Sequence, residues 1–117
     1  GGGLDNIYPK ENLRTFKQIL KTGGAIVSEY IVGTKPERIN FPARNRIISG
    51  LADGILVVEA AGRSGTTITV DFALEQGKSI YAIQETYIAV TQNGTNELIK
   101  QGAKIVTKQS DILEDFS

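Results

Sequence analysis

A chain of 117 residues with thirteen basic and thirteen acidic side chains is long enough for one folded core and carries no net charge to draw it to a polyanion. The absence of cysteine and histidine excludes disulfides, thiolate nucleophiles, imidazole catalysis and the common zinc sites. No apolar run approaches the roughly 20 residues needed to span a bilayer, and no signal-peptide pattern is present. With no methionine either, the sequence reads as an excised or processed piece of a cytoplasmic protein.

The glycines at 1–3 read as an added leader or as the turn closing a strand. Pro9 opens a helix that places Leu13, Phe16 and Leu20 on one face, and Gly23-Gly24 ends it, Gly23 being suited to a left-handed C-terminal position. Residues 25–29 are expected to form a short buried strand, and 31–39 a loop punctuated by Gly33 and Pro36 and carrying Lys35 and Arg38. Asn40 is placed to cap a second helix, and Pro42 suits its first turn. Ile47, Ile48, Leu51 and Ala52 recur at helical spacing before Asp53-Gly54 breaks the pattern. The run Ile55-Leu56-Val57-Val58 is apolar at every position and predicts a strand covered on both faces. A glycine-bearing loop over 61–67 leads into a third helix with Val70, Ala73 and Leu74 inward and Gly77 as its stop. Strands follow over 79–83 and 103–107, separated by an irregular stretch at 84–93 and a helix from Gly94 or Thr95 to Gly102. Ser110 is placed to cap a short terminal helix.

Strands alternating with helices over short loops predict a single α/β domain over 1–117, doubly wound around a mainly parallel sheet of about four strands. Ligands in such sheets bind beyond the carboxyl ends of the strands. The loops leaving those ends hold Lys35, Arg38, Arg63 and the Ser64-Gly65-Thr66-Thr67 turn, so the rim is locally basic in a neutral chain. Arg44 and Arg46 stand in the first turn of the second helix, where cations oppose the helix dipole. Two of them there suggest an anionic ligand, although salt bridges to Glu29 or Glu59 are the plainer reading for Arg44. Arg44 falls on the stripe of Ile47, Ile48 and Leu51, which turns its stem towards the protein body. Asn45 adds donors to the same turn, and Phe41 is either a core plug or a face for stacking a base. Ser64, Gly65 and Thr66 suit an anion at a helix N-terminus, against the simpler role of helix capping. The turn matches neither a Walker loop nor Gly-x-Gly-x-x-Gly. Glu29 and Glu59 are better placed to position arginines than to act as an acid/base pair, because no nucleophile or metal ligand accompanies them.

The block Phe41-Pro42-Ala43-Arg44-Asn45-Arg46-Ile47-Ile48-Ser49-Gly50-Leu51, with Val57-Val58-Glu59-Ala60 and Arg63-Ser64-Gly65-Thr66, resembles the DNA-processing protein A (DprA, or Smf) family. Tyr8-Pro9-x-Glu11-Asn12, Ser28-Glu29-Tyr30, Phe72-Ala73-Leu74-Glu75-Gln76-Gly77 and Gly94-Thr95-Asn96 fit the same pattern in the same order. The resemblance implies a Rossmann-like domain that binds single-stranded DNA in a basic pocket, protects incoming strands during natural transformation, helps load a RecA-type recombinase and self-associates. It implies no catalytic activity and no cofactor. By motif, Phe41, Arg44, Asn45 and Arg46 line or support the pocket, Ser64, Gly65 and Thr66 form its floor, and Lys35 is a further candidate.

Two departures stand out. The family's preceding half, with a Gly-Ser/Thr-Arg turn and a Ser-Gly-x-Ala-x-Gly-Ile-Asp stretch, is not in this sequence, so a sheet edge or apolar face should be exposed. After Tyr81-Ala82-Ile83 the family's Pro-Gly is replaced by Gln84-Glu85, and Glu85 adds negative charge near the proposed rim. The rival class is an enzyme resembling the lysine-decarboxylase-like phosphoribohydrolases, but their Pro-Gly-Gly-x-Gly-Thr-x-x-Glu pattern lacks its glutamate here, where Thr69 follows Ile68. A third reading is a module that acts only by self-association.

Overall fold

The computed structural model describes residues 1–58, 65–83 and 102–117. They divide into two units, Gly1–Arg44 and Asn45–Ser117. In the first, the N-terminal turn is tied down by polar groups. The Gly3 N–H donates to Thr34 O (2.9 Å), Asn6 Nδ2 to the same carbonyl (3.0 Å), Ser28 Oγ to Gly2 O (2.7 Å), and the Gly33 N–H to Asp5 Oδ1 (2.8 Å). Gly3 is buried, and a Cβ there would stand 2.5 Å from the Ile31 carbonyl oxygen, a backbone atom with little room to yield. Gly3→Ala is therefore expected to cost about 1–3 kcal/mol through overpacking. A lower denaturant midpoint at unchanged slope would register it.

Pro9, extended at φ −66° and ψ 155°, precedes a 3-10 turn over Lys10–Asn12 that runs into α1 (Leu13–Lys21). The glycine stop is as expected. Gly23 is left-handed at φ 86°, its N–H reaches Leu20 O at 3.2 Å, and the Gly24 N–H reaches Ile19 O at 2.8 Å, which satisfies two terminal carbonyls. The apolar face is present but uncovered among the described residues: Leu13, Ile19 and Leu20 are exposed and Phe16 is half-buried. The short buried strand expected at 25–29 does not form, and Val27 is 74% exposed. An apolar extended segment becomes a strand only when a neighbour takes up its backbone N–H and C=O groups, and no described strand pairs with it.

The second unit builds the Rossmann-like α/β architecture. Helix α2 (Asn40–Leu51) begins in the first unit and continues into it, with Pro42 in its first turn. Strand β1 (Gly54–Val57), α3 (Gly65–Glu75), β2 (Ser79–Ile83), β3 (Lys104–Val106) and α4 (Ser110–Leu113) follow. The sheet is parallel in the order β1-β2-β3, with Val57 opposite Ala82 and Ala82 opposite Ile105. Three strands are thus described where about four were expected. The helix predicted over 94–102 lies outside the described residues.

Val57, Ile80 and Ala82 point to one face, where Val70 and Ala73 of α3 complete a fully buried core, as the spacing of that helix predicts. Gly77, at φ 71°, ends the α3 region with the Lys78 N–H returning to Ala73 O at 2.9 Å. On the opposite face Tyr81 is buried beside the Phe116 ring, 6.2 Å between centroids, and its hydroxyl donates to Asp115 Oδ2 at 3.0 Å. The expectation that β1 is covered on both faces is corrected: Leu56 is 43% and Val58 59% exposed. The strand buried on both faces is β2, covered by Val70 and Ala73 of α3 on one side and by Phe116 against Tyr81 on the other. What packs on each face, not a strand's own apolar run, decides its cover. The sequence predicted an exposed sheet edge or apolar face; among the described strands β1 pairs on one side only, and Leu56 leaves apolar surface exposed.

Ser110 opens α4 rather than capping it. The carboxylate that closes this turn is Asp111 Oδ2, which accepts the Thr107 and Lys108 N–H groups at 2.9 and 3.2 Å and the Thr107 hydroxyl at 3.1 Å. The Thr107 N–H bond is the main reason its carboxyl lies below the usual aspartate range. A lowered folded-state value means the stabilisation is present above the unfolded aspartate pKa and is lost as pH falls through the folded one. The turn is therefore expected to hold at neutral pH and loosen only at the acid end, and Asp111→Asn should abolish that acid transition. A proton NMR titration of the Thr107 amide reads it directly.

Candidate nucleic-acid interface

The predicted site residues within the described structure are divided between the two units: Lys35, Phe41 and Arg44 lie in the first, and Asn45, Arg46, Gly65 and Thr66 in the second. In the first unit, the Arg44 guanidinium carbon lies 5.7 Å from the Phe41 ring centroid, within cation–π range. The Tyr8 ring also packs against Phe41, 5.8 Å between centroids and tilted by 56°. Gly1 lies close enough that a Cβ there would meet the Phe41 ring at 2.9 Å, and Asn40 Nδ2 holds the Gly1 carbonyl at 2.8 Å. Phe41 and Arg44 are both half-buried, so each presents part of its surface outward. Lys35 is exposed, and its neighbours Thr34 and Pro36 pack on Gly2, next in the chain to the glycine against Phe41. The first unit thus brings Tyr8, Phe41 and Arg44 together, with Lys35 exposed on the loop that packs on Gly2.

In the second unit, Asn45 is buried to 9% exposure and its Nδ2 points at Gly65 O, a long contact of 3.4 Å. Gly65 O also accepts from Thr69 Oγ1 at 3.1 Å. Ser49, one turn beyond Asn45, is fully buried and donates to the Asn45 and Arg46 carbonyls at 3.3 and 3.2 Å. Gln76 Nε2 donates to Arg46 O at 2.9 Å, so the backbone of this turn is held from two sides. Arg46 itself is exposed. The expected inward stripe holds in part, with Arg44 and Ile47 half-buried, and is corrected at Ile48 and Leu51. Leu51 is 78% exposed and Ile48 is also exposed, while the buried positions are Asn45 and Ser49. Small polar side chains allow the close approach to Gly65 that branched aliphatic ones would block.

α3 begins at Gly65, so Thr66 and Thr67, expected in the loop, belong to its first turn. A helix leaves the first N–H groups without intrahelical partners and carries a partial positive charge there. A Cβ on Gly65 would meet nothing within 4 Å. Ser64, Arg63, Glu59 and the segment containing Gln84 and Glu85 lie outside the described residues. Among the described residues no group of carboxylates is placed to hold a metal ion, and no helix is long and apolar enough to cross a membrane. Sequence reasoning overlooked three contributors: Tyr8, Ser49 and Gln76. The signal for Ser49 was present, since Asn45 and Ser49 are small polar residues four apart and so share one face of the helix.

A parallel sheet backed by α3, with Asn45 of α2 meeting that helix's Gly65, defines a Rossmann-like α/β protein. The chain belongs to the DNA recombination-mediator protein A family, whose model matches residues 1–117. It is 47% identical over 116 residues to Protein Smf of Escherichia coli, covering 99% of this chain and 31% of that protein. It is 42% identical over 116 residues to the DNA processing protein DprA of Streptococcus pneumoniae, covering 99% and 41%. The X-ray structure of DNA processing protein A (DprA) from Streptococcus pneumoniae matches with a TM-score of 0.81, covering 99% of this chain and 41% of that one. The chain therefore spans 31% to 41% of the length of these relatives.

Proposed function

We propose that this chain binds single-stranded DNA and acts in DNA processing during natural transformation, shielding the strand and assisting its transfer to a RecA-type recombinase. The observation that carries this reading is the Arg44 guanidinium seated over the half-buried Phe41 ring, a pairing of charge and aromatic surface suited to a phosphate and its base. Arg46 supplies a second cation two residues on, outside the body of the protein. Gly65 and Thr66 supply N–H groups at the start of α3, with Ser64 and Lys35 as further contributors. Asn45 positions this turn rather than contacting the strand, because it is buried against Gly65. The action is electrostatic and stacking, with no covalent step and no cofactor, and it belongs in the cytoplasm. Self-association accompanies it. The family description, recombination mediator, supports a partner of the recombinase class.

A mobility-shift titration of labelled oligo-dT, repeated with the matching duplex, tests the reading. Preferential retention of the single strand supports it, and equal retention of both argues for a non-specific polycation. Release of free base from nucleoside monophosphates by the purified chain would instead favour a phosphoribohydrolase.

A further inference from the structure

We propose that Tyr8 and a basic stripe along α1 and the 3-10 turn before it, formed by Lys10, Arg14, Lys17 and Lys21, make a second contact for the same DNA strand, extending its path beyond Phe41 and Arg44. This rests on the single-strand reading above. The four cations recur at intervals of four, three and four residues, so they share one helical face, and all four are exposed. Among the described residues none of them forms an ion pair, although Glu11 lies beside them in the shallow groove they line. Over residues 10–21 a single carboxylate, Glu11, three residues before Arg14, accompanies four cations, so the face keeps a net positive charge. The neutrality of the chain conceals this: residues 1–44 hold seven basic and four acidic side chains, and residues 45–117 hold six and nine.

Position supplies the second argument. Tyr8 is 63% exposed, two residues before Lys10, and its ring meets Phe41. An aromatic with that much free surface beside an arginine-bearing ring is a second stacking platform, and the stripe starts where it ends. At 1.5 Å per helical residue the stripe runs about 17 Å, the span of about five phosphates at 3.4 Å each and of fewer in an extended strand. Lysine and arginine stems along such a face track a backbone without reading sequence.

The test is fluorescence anisotropy of labelled oligo-dT of about 6 and about 24 nucleotides at several salt concentrations. The proteins are this chain, the quadruple variant K10Q/R14Q/K17Q/K21Q, Tyr8→Ala and Tyr8→Phe, and Arg44→Ala, each checked for retained helix content by circular dichroism. Glutamine keeps helix propensity close to that of lysine and arginine, and the replaced side chains are exposed. The quadruple variant is expected to bind the long strand roughly tenfold or more weakly while binding the short strand nearly as before. Its salt slope on the long strand should fall by about 0.7 for each phosphate no longer neutralised. Tyr8→Ala should weaken binding roughly tenfold at unchanged slope, with Tyr8→Phe restoring it. If the quadruple variant matches the parent on the long strand while Arg44→Ala still weakens it, the stripe is refuted and the α2 reading stands. Equal losses on short and long strands would mean a diffuse field and would also overturn the proposal. No binding by the parent to either strand at low salt brings down both readings.

Discussion

Replacing Arg44 and Arg46 together by alanine is expected to weaken oligo-dT binding by about a hundredfold at low salt and to flatten the salt slope by about 1.4. Each neutralised phosphate of a single strand contributes a slope of about 0.7, and a charge-assisted hydrogen bond to a partly exposed phosphate contributes about tenfold in affinity. The two arginines should separate under milder change. Arg44→Lys keeps the charge but loses the planar group lying 5.7 Å from the Phe41 ring, so most of the loss should remain. Arg46 is exposed on the outer side of the helix, and Arg46→Lys should be nearly neutral. All sequences should weaken alike, since phosphate contacts carry no base information. A change of sequence preference in either variant would show that the arginines read bases.

Ser49→Leu is expected to cost about 3 kcal/mol of folding stability, at the upper end of overpacking effects. The Ser49 side chain is fully buried with its hydroxyl on the Asn45 and Arg46 carbonyls, and a leucine there must push α2 outward. The turn that moves is the one carrying Arg46 and anchored by Gln76 Nε2, so DNA affinity should fall along with stability. Ser49→Ala is the control. It removes the hydroxyl without adding volume, leaves two helix carbonyls with their own intrahelical partners, and should cost about 1 kcal/mol or less. Chemical denaturation of the three proteins orders them, and similar midpoints for leucine and serine would mean that α2 has room at this position.

Most of the fold was legible because its signals are local. Glycine at 23 and 77 ends a helix for the same backbone reason in both places, and the strand at Ser79–Ile83 is a compact apolar run between turn residues. Cover was the part that could not be read. Residues 25–29 and 55–58 carry similar apolar runs, yet the first pairs with no described strand and the second has one face open, because partners are a property of the assembled sheet. The Phe41–Arg46 block was expected at the start of a helix and lies in α2, whereas hydrophobic periodicity turned Ile48 and Leu51 inward and the structure leaves both exposed. The helix packs through Asn45 and Ser49, where backbone proximity to Gly65 favours small polar groups over aliphatic ones. Tyr8 was passed over because thirty-odd residues separate it from Phe41 in sequence, and only the folded N-terminal turn joins the two rings.

Binding by electrostatics and stacking to a single strand is the central claim, and the salt dependence of oligo-dT anisotropy tests it most directly. The chain is expected to bind the single strand more tightly than the matching duplex, with log affinity falling linearly in log salt at a slope of about −1.4 or steeper. A folded sample that binds neither strand, or binds the duplex equally well with a salt-independent affinity, would contradict it.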